Sequence, residues 1–586
     1  MTGNLVSEVQ MSIEKMASER EKTFERLIEL GIALSSERDY LRLMEMILLE
    51  AKRIPNADGG TLYLYDEETK TLSFEIMRND TLNIAMGGTT GKRISFPPIN
   101  TYDPDTQEAN HKNVATATVL TKEKSNIQDA YTVKQYDFSG TKAFDEKTGY
   151  RSISFLTIPL LNRTDDVIGV VQLINARDKK GNVVPFNSDV EAIIGALAGQ
   201  AAVALENQLL VQRQRTLMDS FIELIAGAID EKSAYTGGHC QRVPELVKMI
   251  ARAACDSSDP RFADFDLTEE QWYELHLAGW LHDCGKVTTP EYVVDKAVKL
   301  ETINNRIHEV RNRFEIMIRE AEIEYLKKAM DADGDERDRL KTKFEAKVAQ
   351  LENDFAFIAE TNVGSEFLSD EAIERIKQIS EMTWTRTLDR CLGLSWEEGK
   401  RLEKNPPAPV PCKEKLLEDR ADHVTQEYDF GEIYNLSIRK GTLNKEERRK
   451  INDHISVTID MLESLPFPKN LKNVPEYAGG HHEKMDGSGY PRGLSKKDLS
   501  LPARMMAIAD IFEALTASDR PYKKAKKISE SLKIMMLMKN DQHIDPDLFE
   551  LFLTAGVWKE YAEKFLKPEQ IDDVDITRFM SVTKAE

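Results

Sequence analysis

The run Leu281-His282-Asp283-Cys284-Gly285-Lys286 places an imidazole, a carboxylate and an ammonium within six residues. Neutral imidazole nitrogens and carboxylate oxygens are donors for Fe, Mn or Zn. His239, His454, the pair His481-His482, and Asp510 are the groups that could complete such a centre. A carboxylate such as Asp283 can bridge two cations, and a pair about 3.5–4 Å apart activates a water and holds the phosphoryl oxygens of an in-line displacement. Lys286, one turn on, adds a phosphate-seeking cation for the transition state, and Asp283 is a candidate to take the water's proton. The chemistry expected is metal-dependent phosphodiester hydrolysis. Thiolate ligation is not indicated: Cys240, Cys255, Cys284, Cys391 and Cys412 are scattered, with no Cys-x-x-Cys. An odd number of dispersed thiols fits a reducing cytosol better than a disulfide framework. His111, His276, His308, His423 and His543 lack such company and read as structural or surface residues.

The elements that must position these groups belong to a chain of 586 residues, more than one hydrophobic core usually supports. A hydrophobic share of 41% indicates globular domains. The net charge of -21 argues against DNA, RNA or an anionic membrane as the general partner. A phosphate-bearing ligand then needs local positive charge. Arg520-Pro521-Tyr522-Lys523-Lys524-Ala525-Lys526-Lys527 is the clearest basic run, and beside a metal centre it would draw in a dianion. Residues 1–16 lack an apolar signal core, and the apolar run over residues 193–205 is short and rich in Ala and Gly for a bilayer span. A soluble, cytoplasmic protein without membrane insertion is expected.

Residues 18–52 read as helix, with Leu27, Leu30, Leu34, Leu41, Met44 and Leu48 near helical spacing. After a break at Pro55-Asn56-Ala57-Asp58-Gly59-Gly60, strand-like runs begin at Thr61, Thr71, Phe155 and Val167. Ser188-Asp189-Val190-Glu191 has capping-box form and opens another helix. Helices flanking an antiparallel sheet make an α+β sensor module over residues 20–207. This part resembles the GAF domain family. The nearest local likeness is Ile127-Gln128-Asp129-Ala130-Tyr131 with Phe144-Asp145-Glu146-Lys147-Thr148-Gly149-Tyr150-Arg151-Ser152, similar to GAF domains that bind cyclic nucleotides. Asn175 and Phe186 match that group's Asn-Lys-Phe-Asp-Glu signature, while Ala176 replaces the Lys and Asp189 stands one place early. A cyclic nucleotide held by Asp129, Thr148 and Arg151 is one reading, and a scaffold that only dimerises or relays is the other.

Residues 189–230 can run as one long helix or two, a signalling helix or a plain amphipathic linker, with Ile193, Leu197, Ala201 and Ala204, then Leu217, Phe221, Leu224 and Ala228, at three-four spacing. Such a helix can pair with a second copy in a homodimer. The C-terminal region, residues 221–567, is interrupted over residues 304–430 by a mostly helical insertion. Residues 304–328 and 336–358 form a charged helical hairpin turning at Asp331-Ala332-Asp333-Gly334-Asp335. That turn is no calcium loop, since its Gly falls fourth rather than sixth and Thr342 stands where a bidentate Glu is required. Asn405-Pro406-Pro407-Ala408-Pro409-Val410-Pro411 is a stiff connector.

His282-Asp283-Cys284-Gly285-Lys286 and His481-His482-Glu483-Lys484-Met485-Asp486-Gly487-Ser488-Gly489-Tyr490-Pro491 together resemble the HD-GYP subgroup of the HD phosphohydrolase superfamily. The resemblance implies an all-α domain that hydrolyses cyclic di-GMP to the linear dinucleotide or GMP with Fe or Mn ions. It implies His239, His282, Asp283, His454, His481, His482 and Asp510 as metal ligands, Lys286 near the scissile phosphate, and Tyr490, Arg520 and Lys523 near the substrate. The Gly487 and Gly489 turn would allow backbone approach to that substrate. Tyr235 stands where three-metal members carry a Glu, which favours two divalent metal ions and the linear product. The insertion ends before Lys440-Gly441-Thr442-Leu443, a segment near the site in the family, from which it could cover the active site. A non-hydrolysing scaffold, or hydrolysis of cyclic GMP-AMP or a mononucleotide, are the other readings.

Overall fold

A computed structural model of the chain describes residues 25, 28–37, 39–232, 238–365, 367–404, 406–424, 428–517 and 525–580. The chain divides into two compact units, Met1–Met218 and Asp219–Glu586.

In the first unit, residues 28–36 are helical and helix α1 (Tyr40–Arg53) starts anew at Asp39, whose side chain accepts from the Arg42 amide at 3.0 Å. The continuous helix read from the sequence is thus broken by a cap. Strands β1 (Ala57–Asp66), β2 (Thr71–Asn79), β3 (Ile84–Gly87), β4 (Ile99–Asn100), β5 (Ser125–Ile127), β6 (Phe155–Leu161), β7 (Val167–Arg177) and β8 (Val183–Val184) form one antiparallel sheet. Its main order is β3-β2-β1-β7-β6-β5, with β4 beside β2 and β8 beside β7. Helices α2 (Val114–Thr121) and α3 (Ser139–Thr148) lie in the connection between β4 and β6.

Leu43, Ile47 and Leu48 of α1 pack with Leu62, Leu156, Val171 and Leu173 of the sheet, and Ile194, Leu197, Ala201 and Leu205 of helix α4 (Ser188–Lys232) join them. Each Leu, Ile or Val among them contributes about 1.5–3 kcal/mol when fully buried. The cap of α4 is Asn187, whose side chain accepts from the Val190 amide at 2.8 Å, rather than the expected Ser188. Glu191 pairs with Lys124 at 2.7 Å and Asn126 at 3.0 Å instead of closing a capping box. By length and composition α4 is apolar enough to cross a membrane, yet its first half is committed to the sheet core. Farther along, Leu210, Leu217, Phe221 and Leu224 are exposed.

In the second unit, α5 (His239–Cys255), α6 (Glu269–Leu281), α9 (Lys445–Glu463), α10 (Val474–Gly479) and α11 (Leu501–Thr516) surround the candidate site. The intervening insertion carries α7 (Ile307–Met330) and α8 (Gly334–Val363). Val243, Leu246 and Ile250 of α5, Leu275 and Ala278 of α6, and Met505, Ile508 and Phe512 of α11 share one core. Capping boxes fix two starts: Thr268 with Gln271 at α6, and Asn444 with Glu447 at α9.

The α7–α8 hairpin turns at Asp333, which caps α8 by accepting from the Glu336 amide at 3.0 Å. The insertion also contains an antiparallel ribbon, β9 (Thr383–Arg386) with β10 (Cys412–Lys415), which the mostly helical expectation missed. A separate core of Phe314, Leu351, Ile358, Ile376 and Leu416 supports it. Just before the insertion, Lys296 reaches α9, its ammonium 2.8 Å from both Glu447 oxygens and both side chains 1% exposed.

Candidate metal centre

Helix α6 ends at Leu281, so His282 and Asp283 sit at its C-terminal turn rather than within it, followed by a short 3-10 turn, Cys284–Thr288. That turn lies against the middle of α9. A Cβ on Gly285 would fall 2.0 Å from the His454 carbonyl oxygen and 2.7 Å from the Thr458 amide nitrogen. The bare glycine lets α9 approach closely enough for Gly285 N–H to donate to Thr458 Oγ1 at 2.9 Å. His454 is thereby delivered to Asp283. His239 opens α5, His481 and His482 follow α10, and Asp510 sits in mid-α11.

The seven groups converge in two sets: His239, His282, Asp283 and Asp510, and His454, His481 and His482, with the donor atoms of each set within 4.8 Å of one another. Asp283 joins them. Its Oδ2 lies 3.4 Å from both His239 Nε2 and His282 Nε2, and its Oδ1 lies 3.1 Å from His454 Nε2 and 3.9 Å from His481 Nε2. Asp510 Oδ1 is 3.4 Å from His239 Nε2. The outer ring nitrogens fix the tautomers, because a carbonyl can only accept. His282 Nδ1 donates to Gly279 O at 2.7 Å, His481 Nδ1 to Ala478 O at 2.6 Å, and His454 Nδ1 to Ile451 O. Each Nε2 is left as a lone-pair donor. Asp283 Oδ1, His454 Nε2 and His481 Nε2 are buried without a hydrogen-bond partner, although they face one another. Lone pairs converging in a buried space fit divalent cations.

Burial opposes ionisation of Asp283, but Lys286, His282 and His239 outweigh it and hold the carboxyl well below the ordinary range. Burial acts the same way on Asp510, and His481 and His239 bring it down to about 2. Burial pushes His481 well below its ordinary value and His482 down to about 4, so both are neutral donors near pH 7. Burial disfavours the His239 imidazolium, yet Glu513 and Asp283 raise its pKa to about 10. Lys286 pairs with Asp283, which together with Asp510 keeps it charged against burial.

A cavity of about 250 Å³ opens over the cluster, lined by Asp283, Lys286, His454, His482, Tyr490 and Asp510 among others. Tyr490 stacks on His482, with ring centroids 4.9 Å apart and planes at 15°. Burial and the nearby carboxylates of Asp510 and Asp283 push its hydroxyl up to about 12, so it remains a hydrogen-bond donor. Gly487 and Gly489 are not among the residues lining this cavity. Gly487 adopts φ +78°, and a Cβ on Gly489 would lie 2.4 Å from the Lys484 amide nitrogen. They shape the loop instead, while buried Glu483 holds it by accepting from the Arg492 and Leu494 amides at 2.7 and 2.9 Å. Arg520, Lys523 and Tyr235 lie outside the described residues. Among the described residues, none of the insertion lines the cavity, so the covering role is not seen.

Sequence reasoning missed Glu513, Arg242 and Asn452. Glu513 accepts from His239 Nδ1 and from Arg242 Nε, the latter at 2.7 Å, and all three line the cavity with Asn452. The available signals were Asp510-x-x-Glu513 and His239-x-x-Arg242, each pair one helical turn apart.

The first unit has its own cavity, about 660 Å³, lined by Tyr63, Phe74, Arg78, Asn113, Tyr150 and Phe155 among others. Asp129, Thr148 and Arg151 do not line it. Asp129 accepts from the Tyr131 amide at 2.9 Å in a turn, Thr148 donates to Phe144 O at 2.8 Å, and Arg151 lies 4.7 Å over the Tyr131 ring. The local motif that suggested them is held by buried Asp145, which accepts from Tyr131 Oη and Ser152 N, both at 2.7 Å.

Residues 39–205 match the GAF domain family and residues 425–548 match the HD domain family. Among curated proteins, 3'3'-cGAMP-specific phosphodiesterase 3 of Vibrio cholerae is 41% identical over 128 residues, 21% of this chain and 26% of that protein. The 3'3'-cGAMP-specific phosphodiesterase 1 of the same organism is 35% identical over 129 residues, 22% of this chain and 29% of that protein. The cyclic di-GMP phosphodiesterase of Thermotoga maritima is 26% identical over 264 residues, 44% of this chain and 64% of that protein. The chain spans less than a third of the length of the first two curated relatives it matches.

Proposed function

We propose that this chain, which carries a GAF domain and an HD domain, hydrolyses a cyclic dinucleotide, cyclic di-GMP foremost, with two divalent ions, Fe or Mn. The observation that carries the reading is the two-faced Asp283, each oxygen directed at a different set of nitrogen donors. His239, His282, Asp283 and Asp510 would hold one cation, and His454, His481, His482 and Asp283 the other. Bound there, the pair supplies an activated water and neutralises charge on the phosphoryl oxygens.

The chain's own side chains do the rest. Lys286 lines the cavity as an ammonium and stabilises charge developing on the phosphoryl group. Tyr490, flat against His482, offers a ring face for a base and a hydroxyl to donate. Asp283, ionised and central, would accept a hydrogen bond from the attacking water and orient it. The backbone anchors on His282, His454 and His481 keep their lone pairs aimed as the reaction proceeds.

The cavity of the GAF domain has the volume and aromatic lining for a small ligand such as a cyclic mononucleotide, whose binding would regulate hydrolysis. The exposed apolar stripe Leu210, Leu217, Phe221 and Leu224 on α4 suits pairing with the same helix of a second copy in a cytoplasmic homodimer.

The test is to purify the full chain without oxygen, load it with Fe or Mn, and incubate it with cyclic di-GMP, 3'3'-cGAMP and a cyclic mononucleotide. Chromatography should show cyclic di-GMP converted to linear pGpG. Faster loss of 3'3'-cGAMP would move the substrate assignment toward the activity named for two of the relatives. No turnover by metal-loaded protein, with a working control phosphodiesterase, would leave a scaffold instead.

A further inference from the structure

The four imidazoles whose outer nitrogens have a named acceptor are not anchored alike. His282, His454 and His481 each donate to a backbone carbonyl three residues earlier. His239 opens its helix, so α5 offers it no such carbonyl, and its Nδ1 meets the Glu513 carboxylate from α11 instead. Glu513 is 1% exposed, and its other oxygen lies 2.7 Å from both Nε and Nη2 of Arg242. His239 and Arg242 are one turn apart on α5, as Asp510 and Glu513 are on α11. One ion pair, buried on its Glu513 side, therefore joins the two helices that supply both a histidine and a carboxylate to the same donor set.

Resting on the two-cation reading above, we propose that Glu513, held by Arg242, is the positioning residue that sets the affinity of the His239 donor set, so that the two cation sites differ in strength. A carboxylate on the outer N–H of a ligating imidazole fixes its tautomer and makes the inner nitrogen a stronger donor. A carbonyl fixes the tautomer but, carrying no net charge, strengthens the donor less. The other set, His454, His481 and His482 with Asp283 Oδ1, has no carboxylate among its described outer partners. Removing the charge of Glu513 should weaken one site and leave the other.

The experiment uses full-length protein, stripped with a chelator and titrated with Mn²⁺ alone. The parent and Glu513→Gln are compared by metal analysis after equilibrium dialysis and by electron paramagnetic resonance. The parent should bind two Mn²⁺ with a spin-coupled signal. Glu513→Gln should keep one site at parental affinity, lose about 10–100-fold at the other, and show an isolated Mn²⁺ signal. Arg242→Gln, a change at a partly exposed position, is the second variant. It should weaken the same site by a smaller factor, and it decides the matter if Glu513→Gln does not fold. Two sites of parental affinity in the variants would overturn the proposal. So would equal weakening of both, which would assign the pair to the general fold. A parent that binds no Mn²⁺ or other divalent cation overturns the two-cation reading itself, and this proposal with it.

Discussion

Replacing Gly285 by Ala tests the packing that brings two chain segments into one centre. The added Cβ would lie 2.0 Å from the His454 carbonyl oxygen and 2.7 Å from the Thr458 amide nitrogen, both backbone atoms that no rotamer can move. An ordinary carbon–oxygen contact is about 3.3 Å, so α9 must retreat by roughly 1 Å. The Gly285 amide then loses Thr458 Oγ1, and the 3.1 Å approach of His454 Nε2 to Asp283 Oδ1 opens by a similar amount. Overpacking of this kind destabilises by about 1–3 kcal/mol, and a 1 Å displacement of a catalytic group lowers turnover about 100-fold. Steady-state hydrolysis of cyclic di-GMP, metal content and a thermal melt on the same preparation give the three readings. The expected result is a folded protein of lower melting temperature with about 1% of parental kcat/KM. Parental turnover and parental metal content would refute the reasoning, because they would mean that α9 does not approach Gly285 as described.

Lys286→Met should leave both cations bound while kcat falls about 10²–10³-fold, measured by metal analysis beside steady-state kinetics; loss of metal without loss of turnover would contradict its role. In chelator-treated protein, His482 stays neutral down to about pH 4, whereas in the unfolded chain it takes up a proton near its ordinary 6.5. The unfolded state then binds more protons in that window, so stability falls as pH drops from 6.5 to 4. Melting curves should show the fall, and it should be shallower in His482→Gln. Leu217→Glu with Leu224→Glu places charge on the exposed stripe of α4 and should turn dimers into monomers in sedimentation; an unchanged mass would remove that seam from the account.

The chemistry-bearing residues were readable because His282-Asp283 and His481-His482 are local motifs whose residue types already limit what they can bind. Their convergence through Gly285 was not readable, since it depends on a backbone approach between segments 169 positions apart, Gly285 and His454. Glu513 escaped notice for a related reason: its partner His239 lies on another helix, and only the tertiary fold makes the carboxylate an orienting group. The four long strands β1, β2, β6 and β7 and the flanking helices followed from alternation and periodicity, whereas β3, β4, β5 and β8, of two to four residues each, are too short to show a pattern. The ribbon did not follow either, because β9 and β10 are four residues each and pair across a Pro-rich connector. Asp129, Thr148 and Arg151 do not line the cavity, and the motif around them maintains a turn and the Asp145 network.

The most direct test of the central claim is anomalous diffraction from crystals of the Fe- or Mn-loaded protein, collected at the edge of the loaded metal. The account predicts two peaks about 3.5–4 Å apart, one on each side of the Asp283 carboxylate, the first bounded by His239, His282 and Asp510 and the second by His454, His481 and His482. A single peak, or peaks away from Asp283, would contradict it.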